Sequence, residues 1–88
     1  MKVRFHKAFT KDLSKIKNKP TRQKIKTAIL KLENAPSLDK ITNLKAIKGE
    51  KQAYRLRAGD YRIGLYVTND IIELARVAHR KDIYNLFP

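Results

Sequence analysis

Tyr54-Arg55-Leu56-Arg57-Ala58-Gly59-Asp60-Tyr61-Arg62, followed further on by Arg76-Val77-Ala78-His79-Arg80-Lys81-Asp82-Ile83-Tyr84, is the stretch on which the reading of this chain turns. Tyr54 and Leu56 alternate with Arg55 and Arg57. A period of two is that of a strand, and it places both arginines on one face. Ala58-Gly59-Asp60 signals a tight turn, and Tyr61 to Val67, rich in β-branched and aromatic residues, reads as a second strand. Tyr61, Ile63, Leu65 and Val67 face one way there, and Arg62, Gly64 and Tyr66 the other. Thr68-Asn69-Asp70 turns the chain into a third strand, Ile71 to Ala78. Regular alternation would group Ile72, Leu74, Arg76 and Ala78 on one face and Ile71, Glu73, Ala75 and Val77 on the other. Apolar residues lie on both, which leaves open the face that points inward.

Upstream, Val3 and Phe5 alternate with Lys2, Arg4 and His6, the pattern of a short strand. From Lys7 the period lengthens: Phe9, Leu13 and Ile16 form a helical stripe. Asn18-Lys19-Pro20 breaks it, because proline is at home in the first turn of a helix and excluded from its interior. Ile25, Ala28, Ile29 and Leu32 supply a second stripe, ending near Asn34-Ala35-Pro36. Helices joined this closely are expected to lie antiparallel. Residues 35–50 show no steady period and read as a loop with apolar anchors. The expected architecture is a single α+β domain over residues 1–88: an N-terminal strand, an antiparallel helical hairpin, then a three-strand antiparallel meander covered by the helices on one face.

The arginine-rich stretch also stands out against the chain's composition. Residues 54–84 hold five of the seven arginines and all four tyrosines, whereas thirteen of the fifteen basic residues before them are lysine. Arginine presents a planar fork of donors that fits phosphate oxygens, and lysine a hydrated point charge. The lysines therefore read as general electrostatics and the arginines as a site. A net charge of +13 on 88 residues attracts polyanions: nucleic acid first, then an acidic protein or an anionic membrane surface. No cysteine is present, so there is no thiolate chemistry, and with only two histidines the composition argues against a metal site. No cofactor motif appears, no segment reaches membrane-spanning length, and Met1–His6 is no signal peptide, all of which point to the cytoplasm.

A cationic face with tyrosines and a histidine has the groups needed to bind RNA phosphate and also to cut it. Attack by the 2′-hydroxyl on its own phosphodiester needs a base, an acid for the leaving oxygen, and cations for the developing charge. Arginines meet the last need. Neighbouring positive charge favours a phenolate, so Tyr84 is the candidate base, with His79 or an arginine as proton donor. Tyr54 and Tyr61 read as packing residues, and His6 as structural.

These same motifs, with Leu44-Lys45-Ala46-Ile47-Lys48-Gly49 ahead of them, make the chain resemble the RelE/ParE superfamily of bacterial toxins from type II toxin-antitoxin pairs. The resemblance implies a small α+β toxin held inactive by a cognate antitoxin that wraps it with acidic and apolar surface. In the RelE branch it implies a ribosome-dependent endoribonuclease that cuts mRNA and arrests translation. By analogy Arg55 and Arg57 engage phosphate, Arg62 stabilises the transition state, Arg80 is the proton donor and Tyr84 the general base. His79 joins this catalytic group, and Arg76 and Lys81 the phosphate-binding one. The rivals are a ParE-type gyrase poison and a basic RNA-binding module without chemistry. Four positions depart from the pattern. Arg55 and Arg57 stand where lysine is common, Ala78 replaces a glycine, and Gly64 replaces an aliphatic residue. A glycine within a strand signals a bulge or a close backbone approach.

Overall fold

The computed structural model describes residues 1–88. In chain order the elements are β1 (Lys2–Phe5), α1 (Lys7–Ser14), α2 (Lys19–Asn34), a 3-10 turn at Leu38–Lys40, β2 (Leu44–Ala46), β3 (Ala53–Ala58), β4 (Tyr61–Thr68), β5 (Ile71–His79) and α3 (Ile83–Leu86). The strands make one sheet in the order β1-β5-β4-β3-β2. β2 to β5 run antiparallel, and β1 lies parallel to β5 at the far edge.

Local chemistry sets the helix boundaries. Asn18 caps α2, its side-chain oxygen accepting from the Thr21 N–H at 2.9 Å, with Pro20 in the first turn. This satisfies one of the amides that a helix start leaves without a partner. Arg22 then joins the two helices: its Nη1 donates to the carbonyls of Leu13 at 2.7 Å and Ile16 at 2.9 Å, where α1 ends. Both helices lie on the same face of the sheet. Phe9 of α1 and Ile25, Ala28 and Leu32 of α2 pack with Leu56, Ile63, Leu65, Ile72, Leu74 and Val77 in one core. Full burial of one such side chain is worth about 1.5–3 kcal/mol.

Two departures from the expected architecture matter for the site. The segment read as a loop contains β2, so the meander has four strands rather than three. A strand of three residues shows too little alternation to be recognised. It exists because β3 pairs with it, Leu44 with Leu56, Lys45 with Arg55 and Ala46 with Tyr54. The second departure lies in β5, where Gly64 pairs with Arg76 but Leu65 with Leu74, leaving Ala75 as the extra residue of a β-bulge. Alternation breaks there. Val77 joins Ile72 and Leu74 in the main core, while Ala75 and Ala78 face the other side.

That other side is only partly open. Ala53, Ala75, Ile83 and Phe87 form a second small core, with Ile47, Tyr66 and Ala78 at its margin. It is the means by which the last turn of the chain is fastened to the sheet.

Candidate functional site

Strand register builds the site. On the face away from α1 and α2, Arg55 of β3 lies between Lys45 of β2 and Gly64 of β4, and Arg57 lies opposite Arg62. Four cations are thereby brought onto one patch. α3 carries Tyr84 over it, with the guanidinium carbon of Arg55 4.5 Å from the centre of the Tyr84 ring. That is cation–π geometry, which favours stacking of the two groups. Asn43, Leu44, Lys45, Arg55, Arg57, Arg62 and Tyr84 line a basin of about 360 Å³ that contains no carboxylate.

Arg62 is the most firmly held of these side chains. Its Nη1 donates to the carbonyls of Gly59 at 2.8 Å and Tyr61 at 2.9 Å, in and beside the β3–β4 turn. The remaining guanidinium nitrogens make no hydrogen bond within the chain. A cation fixed on one side and free on the other suits an incoming phosphate. Tyr84, by contrast, is 65% exposed.

The structure thus brings together Arg55, Arg57, Arg62 and Tyr84, and it adds Lys45. Lys45 was hidden within the presumed loop, and only its place between Leu44 and Ala46 could have flagged it. Four other expected site residues lie elsewhere. Arg76, paired with Gly64 across the ladder, reaches to α1, where Nε and Nη2 donate to the Asp12 carboxylate at 2.7 and 3.0 Å and the Val77 N–H donates to the same carboxylate at 3.1 Å. Burial opposes the charge on Asp12, but the hydrogen bonds from Arg76 and Val77 and the charges of Arg76 and Lys15 outweigh it, holding the carboxyl below its usual range. Arg76 is therefore engaged and not available to phosphate. His79 pairs with Tyr61 across the strands, on the helix side of the sheet, and the two rings meet edge-on at 5.5 Å. Its Nδ1 accepts the Lys81 N–H at 3.2 Å. Arg80 and Lys81 follow in the turn with exposed side chains, and the Arg80 N–H donates to the Asp60 carbonyl at 2.8 Å. Neither lines the basin.

A five-stranded sheet backed by two helices on one face, with a basic basin on the other, has the fold of solved RelE toxins. A family model described as "ParE toxin of type II toxin-antitoxin system, parDE" matches residues 3–84. Toxin RelE3 of Methanocaldococcus jannaschii is 45% identical over 89 residues, spanning the whole of both chains. Among solved structures, the RelB-RelE antitoxin-toxin complex from Methanococcus jannaschii matches with a TM-score of 0.77 at 43% identity, covering 96% of this chain and 98% of its own. The archaeal RelE-RelB complex from Pyrococcus horikoshii matches at 0.71 and 24% identity, covering 90% and 93%, and shows likeness of fold. The chain belongs to this family and is a toxin of the type II toxin-antitoxin class.

Proposed function

We propose that the toxin acts as a ribosome-dependent mRNA endoribonuclease and that a cognate antitoxin restrains it. The observation that carries the reading is the basin itself: Lys45, Arg55, Arg57 and Arg62 converge beneath Tyr84 with no acidic residue among them. Tyr84 takes the proton of the 2′-hydroxyl, whose oxygen then attacks the adjacent phosphorus. The 5′ oxygen leaves with a proton, and a 2′,3′-cyclic phosphate remains. The free side of Arg62 faces the charge that builds on the phosphoryl oxygens, and Arg55 and Arg57 hold the flanking backbone. For the leaving-group proton the resemblance offers Arg80 and the basin offers Lys45. Lysine gives up a proton far more readily than arginine.

The relatives from Methanococcus jannaschii and Pyrococcus horikoshii are complexes with an antitoxin, and this chain is read as the partner of an equivalent protein. An acidic and apolar segment laid over the basin would neutralise part of the +13 and cover Tyr84. No helix is long and apolar enough to cross a membrane, and ribosome, mRNA and antitoxin would meet the toxin in the cytoplasm.

The test is primer extension on a reporter mRNA translated in a purified system, with wild type and Arg62→Ala. Discrete cuts that require ribosomes and disappear in the variant are expected. The family description names ParE, which supports a second reading as a gyrase poison. Intact mRNA together with trapped gyrase–DNA cleavage complexes would replace the first reading with the second.

A further inference from the structure

Tyr84 has little of its own to hold it in place. It sits in α3, a single turn of four residues, far shorter than a helix that persists alone in water. What fixes the turn lies on either side of it. Ile83 is fully buried, and Phe87, 4% exposed, closes the turn with its N–H donating to the Ile83 carbonyl at 2.9 Å. The Phe87 ring lies directly on the backbone of Gly64. A Cβ at Gly64 would stand 2.9 Å from the ring's Cδ1 and closer still to Cγ and Cδ2, an overlap that no relaxed packing admits. Tyr66 closes the seat edge-on, its ring centre 5.0 Å from that of Phe87. Across the ladder, the bulge sets small Ala75 beside the seat, and the long Arg76 side chain is held away from it by Asp12.

Glycine weakens a strand interior, so its presence in the middle of β4 calls for a compensating gain. Its φ is not in the left-handed region, and the need is for space alone. We propose that Phe87 seated on Gly64 is a positioning device that sets the height and orientation of Tyr84 above Arg55 and Arg62. The inference rests on the reading of Tyr84 as a participant in cleavage. Gly64 and Phe87 touch no substrate. They act through the turn that carries the tyrosine.

The experiment compares Gly64→Ala, Phe87→Ala, Phe87→Leu and the double variant Gly64→Ala/Phe87→Ala, with single-turnover cutting on programmed ribosomes and ribosome affinity measured separately. A misplacement of about 1 Å costs about 100-fold in rate. Gly64→Ala and Phe87→Ala are each expected to slow cutting by about that factor while ribosome affinity stays within about twofold. Phe87→Leu, which keeps an apolar plug, recovers most of the rate. In the double variant the added methyl has no ring to meet, so its rate equals that of Phe87→Ala alone. NMR contacts between the Arg55 side chain and the Tyr84 ring report the seat directly: present in wild type and Phe87→Leu, lost in Gly64→Ala. Unchanged contacts and unchanged rate in Gly64→Ala overturn the proposal, as does simple additivity in the double variant. Should Phe87→Ala fail to fold, Gly64→Ala and Phe87→Leu decide the matter. Tyr84→Phe separates the two levels. If it cuts as fast as wild type, the role of Tyr84 in the chemistry fails while the NMR contacts still read the seat.

Discussion

Arg76 and Asp12 meet across 64 residues of sequence, and their pairing shows what single side chains do in this molecule. The Asp12 side chain is 12% exposed and accepts three hydrogen bonds, two from Arg76 and one from the Val77 amide. Asp12→Asn keeps the shape but loses the charge, and is expected to cost about 2 kcal/mol, measured by urea unfolding. Because the folded carboxyl titrates below the unfolded one, the stabilisation is fully present above about pH 4 and is lost as pH falls through the folded value. The Asn variant should therefore show a flatter loss of stability at acid pH than wild type. Arg76 had every outward mark of a phosphate ligand in the sequence. What engages it is a partner in another element, Asp12 of α1, and that pairing leaves no trace in nearest-neighbour spacing. His79 was displaced by the bulge, since faces beyond Ala75 cannot be counted from Ile72.

Among elements, the helices and the three longer strands were legible because each runs through enough periods to declare itself. The β2 strand, with three residues, does not, and Lys45 was overlooked with it. Lys45→Ala should lower the cutting rate and reduce the slope of log affinity against log salt by about 0.7, the share of one phosphate contact on a single strand, as read by titration of single-stranded RNA. Arg80→Ala, outside the basin, tests the donor role that the resemblance assigns. A larger rate loss for Lys45→Met than for Arg80→Met would give the leaving-group proton to Lys45. The joint between α1 and α2 makes a separate prediction. Removing Arg22 leaves the Ile16 carbonyl without its side-chain donor and the Leu13 carbonyl with the Ile16 amide alone, so Arg22→Ala should cost about 1–2 kcal/mol, and Arg22→Lys should restore only part of it because an ammonium on a flexible stem is a more strongly hydrated point charge. Chemical denaturation with native-state hydrogen exchange over α1 would check both.

For the molecule as a whole, charge and core size set the behaviour. Only seventeen of 88 residues are buried, and none of them is polar or charged. Such a core gives modest stability, and a partner that binds only the folded state adds to it by mass action. The toxin's melting temperature should rise with antitoxin concentration, and the association rate should fall steeply between low and physiological salt, as stopped-flow mixing would show. A rate insensitive to salt would mean that the +13 plays no part in capture. At this scale the sequence was an open guide: charge and the order of the helices and longer strands survive in the structure. Which arginines would stand together did not, because that depends on register and on one extra residue in β5.

The grip of Asp12 on β5 also bears on solubility. β1 covers only Ile71 to Leu74 of that strand, so its second half runs on with an unpartnered edge in the interior of the sequence order. An edge of this kind is a template on which another copy of the chain could lay a strand. The Val77 amide is already committed to the Asp12 carboxylate, and the Arg76 guanidinium stands beside it. The same ion pair that engages Arg76 therefore takes from that edge the Val77 donor that an added strand would need.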